Sequence, residues 1–135
     1  MTKFAQRERR KGTAAVEFAV VAPVLLLLVV GTIEATSMIY LTQSVKIAAY
    51  EGARVALVPQ SNSNNVIGAC NQILEARDVQ GAVVTVTPSN IAAQPYGTYI
   101  QVKVTVPYDD NSPLASWFYS GRMLTGQVEM MKESD

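Results

Sequence analysis

The sequence has no histidine and a single cysteine, Cys70. One thiol closes no internal disulfide, and without histidine no Cys/His zinc site can be built. The eight glycines are scattered, which excludes a glycine-rich phosphate loop. Ser37, Ser44 and Ser61 have no base motif beside them, and Cys70 falls on an apolar helix face, so no nucleophile–base arrangement can be assembled. These absences predict a non-enzymatic protein with no cofactor, no metal and no small-molecule substrate. An envelope enzyme working through lysine or carboxylate groups is the alternative, and it would need those groups clustered in a deep pocket. Cys70 reads as a small apolar residue, with an intermolecular disulfide as the second possibility outside the cytoplasm.

Charge is sparse, 16% of residues, and its formal balance of zero hides an asymmetry. Lys3, Arg7, Arg9, Arg10 and Lys11 face only Glu8 in the first twelve residues, while the remainder is acidic on balance. A basic end ahead of an apolar run marks the cytoplasmic flank of a membrane segment. Nucleic-acid binding is the rival reading of a basic arm, and the apolar run directly behind it argues against that.

Residues 13–33 carry one charge, Glu17. As a helix they extend about 31 Å, close to the ~30 Å hydrocarbon core of a bilayer. Ala14, Phe18, Leu25, Leu28 and Ile33 belong to this lipid-facing surface, and Pro23 removes one backbone hydrogen bond within it. A cleaved secretory signal would be cut after the run, but the run continues into a sequence that can stay helical. The better small-residue junction lies in front, at Gly12-Thr13. A cut there would place a free ammonium on Thr13, four residues from Glu17, and pairing with a neighbouring copy would neutralise both. Without a cut, Glu17 sits at head-group level near a helix N-terminus.

Beyond Glu34 the pattern becomes amphipathic. Met38, Leu41, Val45, Ala48, Gly52 and Val55 form one stripe at spacings of three and four. Glu51 and Arg54 are spaced to pair. Pro59 ends the helix near residue 58, so residues 13–57 read as one helix. Residues 66–77 read as a short amphipathic helix. Residues 82–87, 99–106 and 124–130 alternate with a period of two and read as strands. Asp109-Asp110 reads as a solvated turn rather than a Ca²⁺ loop, because no further carboxylate recurs at ligand spacing. Trp117, Phe118 and Tyr119 form an aromatic cluster that either closes the core or meets a partner or the membrane interface. The expected fold is α+β: a long N-terminal helix packed against a small antiparallel sheet of about three strands, with one short helix. Its parts are a basic leader (1–12), the long helix (13–57) and a small extracytoplasmic domain (58–135).

Two stretches carry a family resemblance. Gly12-Thr13-Ala14-Ala15-Val16-Glu17-Phe18-Ala19, with its basic leader, Pro23 and a leucine run, resembles type IV prepilins and in detail the TadE-like pseudopilins of tight-adherence (Tad/Flp) pilus systems. Ala48-Ala49-Tyr50-Glu51-Gly52-Ala53-Arg54 resembles the wording found at this place in the same family. The resemblance implies cleavage after Gly12 by a dedicated prepilin peptidase. It also implies a single-pass location in the bacterial cytoplasmic membrane, with the N-terminus in the cytoplasm. Other pilins or pseudopilins and the Tad secretion machinery are the implied partners, and pilus biogenesis, adherence and biofilm formation the implied role. Thr13 in place of an aromatic residue, and the lack of paired C-terminal cysteines, favour a minor component. An uncleaved bitopic anchor with an extracytoplasmic ligand- or protein-binding domain is the alternative.

Overall fold

The computed structural model describes residues 3–114 and 116–133, with side chains from Gly12 onward. The side chains of the basic cluster Lys3, Arg7, Arg9, Arg10 and Lys11, and the first and last two residues of the chain, lie outside the described residues.

Helix α1 spans Lys3–Ala56, 54 residues, or about 80 Å at 1.5 Å per residue. It begins ten residues before the expected start at Thr13, which corrects that boundary. Residues 3–11 are mostly good helix formers with no proline, and the ~1 kcal/mol cost of the lone Gly12 does not break the run. Pro23 lies inside the helix. Five hydroxyls from Thr32 to Ser44 bond back to the carbonyl four residues earlier, among them Thr32 Oγ1 to Leu28 O at 2.7 Å and Thr36 Oγ1 to Thr32 O at 2.8 Å. Polar side chains are thereby satisfied within the helix just where its surface stops being uniformly apolar. The last turn tightens, with the amides of Leu57 and Val58 bonding three residues back, and Gln60 turns the chain at φ 63°.

Helix α2, Ser63–Ala76, starts on Asn62, whose side chain accepts from the Asn65 amide at 3.0 Å. Asp78 (φ 54°) ends it in a left-handed turn, with the Val79 amide reaching Leu74 O at 2.9 Å. Three strands follow: β1 (Val83–Thr87), β2 (Tyr99–Pro107) and β3 (Met123–Met131). They pair antiparallel in the order β1-β2-β3. The register sets Val86 beside Val102 and Val104 beside Gly126. The inward face holds Ile100, Val102, Val104 and Val106, all fully buried. Lys103, Thr125, Gln127 and Glu129 face water, as one-sided antiparallel sheets require.

The core lies between this sheet and the C-terminal half of α1, with α2 alongside. Two glycines set the spacing. A Cβ on Gly52 would overlap Cys70 Sγ and stand 3.2 Å from Val102 Cγ1. A Cβ on Gly126 would sit 2.6 Å from the carbonyl carbon and oxygen of Val45. Backbone therefore lies on backbone where β3 crosses α1. The loop between β1 and β2 is tied down by Lys132, whose Nζ donates to Ile91 O at 3.2 Å and Gln94 O at 3.0 Å.

Candidate membrane and assembly interface

Residues 12–29 of α1 touch almost nothing else in the molecule. Of residues 12–29 all but Ala22 are exposed, including Gly12, Thr13, Ala14, Phe18, Pro23, Leu25 and Leu28, and Ile33 is exposed as well. Such an apolar cylinder is unstable in water and requires lipid or other helices around it. Within α1, residues 12–56 form a helix long and apolar enough to cross a membrane, compatible with a single-pass anchor. Glu17 is exposed on that surface, one turn beyond Thr13.

The second half is consumed internally. Leu41, Val45, Ala48 and Gly52 are buried, while Met38 and Val55 flank the stripe half-buried. Ser44, Ala49, Ala53 and Ala56 widen it. Arg54 Nη2 pairs with Glu51 Oε1 at 3.1 Å. The predicted packing face is thus covered by the protein's own sheet and α2. What remains outward is a second apolar line, Ile39, Ile47 and Tyr50 with Tyr40 beside it, all exposed. Its recurrence at spacings of eight and three was readable in the sequence and is absent from the expected face.

Glu34 is the residue that sequence reasoning missed. It sits where the apolar surface ends and is completely buried. Its Oε1 accepts from the Trp117 amide at 2.8 Å and its Oε2 from the Phe118 amide at 2.9 Å. Its backbone carbonyl accepts from the Tyr108 hydroxyl at 3.1 Å. Ser116, at φ 52°, turns the chain so that consecutive amides point at one carboxylate. Bonds to a charged acceptor are each worth about 1.5–3 kcal/mol net, so the turn is firmly held. The only sequence signal was a lone carboxylate at the edge of an apolar run, because backbone amides leave no side-chain signature.

The aromatic cluster divides. Tyr119 packs edge-to-face on the buried Tyr108, centroids 5.8 Å apart at 80°, with the Arg122 guanidinium 5.4 Å above the Tyr119 ring. Trp117 and Phe118 point outward, 68% and 53% exposed. Closing the core therefore falls to Tyr119 alone. Phe118 lies against α1, with its Cε2 3.9 Å from where a Gly31 Cβ would stand. The pair Asp109-Asp110 starts a 3-10 turn, Asp109–Asn111, in which Asp109 Oδ2 accepts from the Gly121 amide at 2.8 Å. That turn is exposed but bonded rather than merely solvated.

Cys70 is buried, and its Sγ lies 3.3 Å from Ala48 O. Burial pushes its thiol up to about 11, partly offset by backbone hydrogen bonds. A thiol so placed presents no thiolate at neutral pH. Among the described residues no group of three or more His, Cys, Asp or Glu side chains is placed to hold a metal ion. At the edge of the buried stripe of α1, Arg77 lies 5.8 Å from the centre of the Tyr40 ring and donates to the buried Ser44 Oγ at 3.3 Å. This makes one wall of a groove of about 350 Å³ that Thr36 and Asn111 also line.

No curated protein and no solved structure matches the chain. Residues 12–54, the part of α1 that runs from the small-residue junction through the apolar cylinder to the Glu51–Arg54 pair, match the family model described as TadE-like protein, which supports a TadE-like protein of the Tad pilus system.

Proposed function

We propose that the protein is a structural, non-enzymatic pseudopilin or minor pilin of a Tad pilus assembly system, cut after Gly12 and supporting pilus biogenesis, adherence and biofilm formation. One observation carries the reading: the TadE-like segment begins with a stretch of helix, residues 12–29, that is mostly apolar and exposed on nearly every side. Such a surface suits lipid before assembly and neighbouring pilin helices after it. The outward line of Ile39, Ile47 and Tyr50 extends that surface past the bilayer, where only another protein can cover it from water.

In this reading the basic leader holds the N-terminus in the cytoplasm and a prepilin peptidase removes residues 1–12. The new Thr13 ammonium and the Glu17 carboxylate then neutralise one another across adjacent copies, because neither charge is tolerated alone in an apolar bundle. The domain formed by α2 and the sheet lies outside the cytoplasmic membrane. The mass of the mature chain, after co-expression with a prepilin peptidase, tests the reading. Loss of residues 1–12 is the expected result, and a mature chain that keeps them overturns it. A second reading, an uncleaved bitopic anchor, draws on the unbroken passage of α1 through Gly12 and Thr13. The same mass separates the two.

A further inference from the structure

We propose that the turn carrying Trp117 and Phe118 is a lipid-interface anchor, clamped by Glu34, that seats the α/β domain on the outer surface of the bilayer. The proposal rests on α1 spanning the membrane and is independent of cleavage at Gly12. Position is the first argument. Glu34 lies 21 residues after Thr13, or about 32 Å along a helix, which matches the ~30 Å hydrocarbon core. Trp117 and Phe118 are bonded to that residue through their amides, and Phe118 packs beside Gly31. The turn is therefore fixed at the depth where the hydrocarbon ends.

Chemistry is the second argument. Trp and Tyr concentrate at membrane–water interfaces because an apolar ring and a polar edge suit that boundary. Trp117 and Phe118 are large, exposed rings on a surface continuous with the exposed apolar helix. Between Phe118 and α1 runs an open apolar groove lined by Val24, Leu27, Leu28, Gly31 and Ala35. Its floor is the same helix face that must meet acyl chains, so lipid occupies it without any further partner. Arg122, exposed and stacked over Tyr119 in the same turn, supplies a cation for a lipid phosphate.

Clamping is the third argument. A mobile loop would lose much of the benefit of inserting two rings to the entropy of ordering them. Glu34 removes that cost beforehand. It is a positioning residue: it fixes the rings at one height without touching lipid itself.

Trp117 is the only tryptophan, so intrinsic fluorescence of the full chain reads this turn directly. The chain is reconstituted in phosphatidylethanolamine–phosphatidylglycerol vesicles whose acyl chains are brominated either near the head group or near the chain end. The expected result is blue-shifted emission, strong quenching by the shallow bromines, weak quenching by the deep ones and protection from aqueous iodide. Glu34→Gln, which cannot offer two anionic acceptors, should lose the depth dependence while helix content by circular dichroism is retained. Water-like emission with free iodide quenching and no bromine effect overturns the proposal. So does protection from iodide that appears only at high protein-to-lipid ratio, which would assign the rings to a second copy. Vesicle flotation is measured in parallel: failure to float removes the spanning reading of α1 itself, whereas floating protein with a water-exposed Trp117 removes only the anchor.

Discussion

Gly126 of β3 lies directly on the backbone of Val45 in α1, so close that a methyl group would stand 2.6 Å from the Val45 carbonyl. This crossing is one of the junctions that join the domain to the helix, beside those made by α2 and β2. Backbone cannot yield as the end of a flexible side chain can, so the sheet must move away if Gly126 gains a side chain.

Gly126→Ala should therefore destabilise the domain by about 1–3 kcal/mol, the usual range for overpacking. Gly68, inside α2 with nothing within 4 Å of a built Cβ, is the contrast. Gly68→Ala should stabilise by roughly 0.5–1 kcal/mol through helix propensity. Denaturant unfolding of both variants in the same detergent checks the opposite signs.

Glu34→Ala removes both acceptors of the Trp117 and Phe118 amides and leaves them facing an apolar helix. A loss of roughly 2–4 kcal/mol in local stability follows, from the bonds lost and the donors left unsatisfied. Hydrogen exchange should show the effect at Trp117 and Phe118 while the β2 amides keep their protection. Equal acceleration throughout the sheet would mean that Glu34 supports the whole domain rather than the turn.

Cys70 offers a pH test. The folded thiol is pushed up to about 11 from an ordinary value of 9.0. The folded state thus holds its proton more tightly than the unfolded chain, so this contribution is complete below pH 9 and is lost as pH rises from 9 toward 11. Native protein at pH 8 should resist alkylation by iodoacetamide, and denatured protein should react. A Cys70→Ala variant should show a flatter decline of stability over the same alkaline window.

Glu17→Gln should leave membrane insertion unchanged and reduce incorporation into pili or basal assemblies, because the amide cannot neutralise a Thr13 ammonium. Fractionation followed by sheared-pilus analysis reads both quantities. Normal piliation by the variant would remove the proposed pairing.

Local pattern made much of the architecture legible. The alternation from Tyr99 to Val106 placed β2 within one residue of its observed end at Pro107, because one buried face imposes a period of two. The stripe through Leu41, Val45, Ala48 and Gly52 named the covered side of α1 for the analogous helical reason. Its N-terminal boundary was misread because the expected helix began at a motif, Gly12-Thr13, rather than at a physical breaker. The aromatic cluster was visible as composition, but which ring turned inward depended on Tyr108, eleven residues away from Tyr119 and on the far side of a turn.

The membrane-length apolar segment, the alternating strands and the absence of histidine depend on residue type and short-range spacing, so each is legible in the chain alone. Which carboxylate the domain is built around depends instead on tertiary packing. Glu17 stands out in the chain, yet Glu34 is the buried one, and its partners are backbone amides 83 and 84 residues away. Those amides are present in almost every residue; only the positive φ at Ser116 and the close crossing of β3 over α1 aim two of them at one side chain.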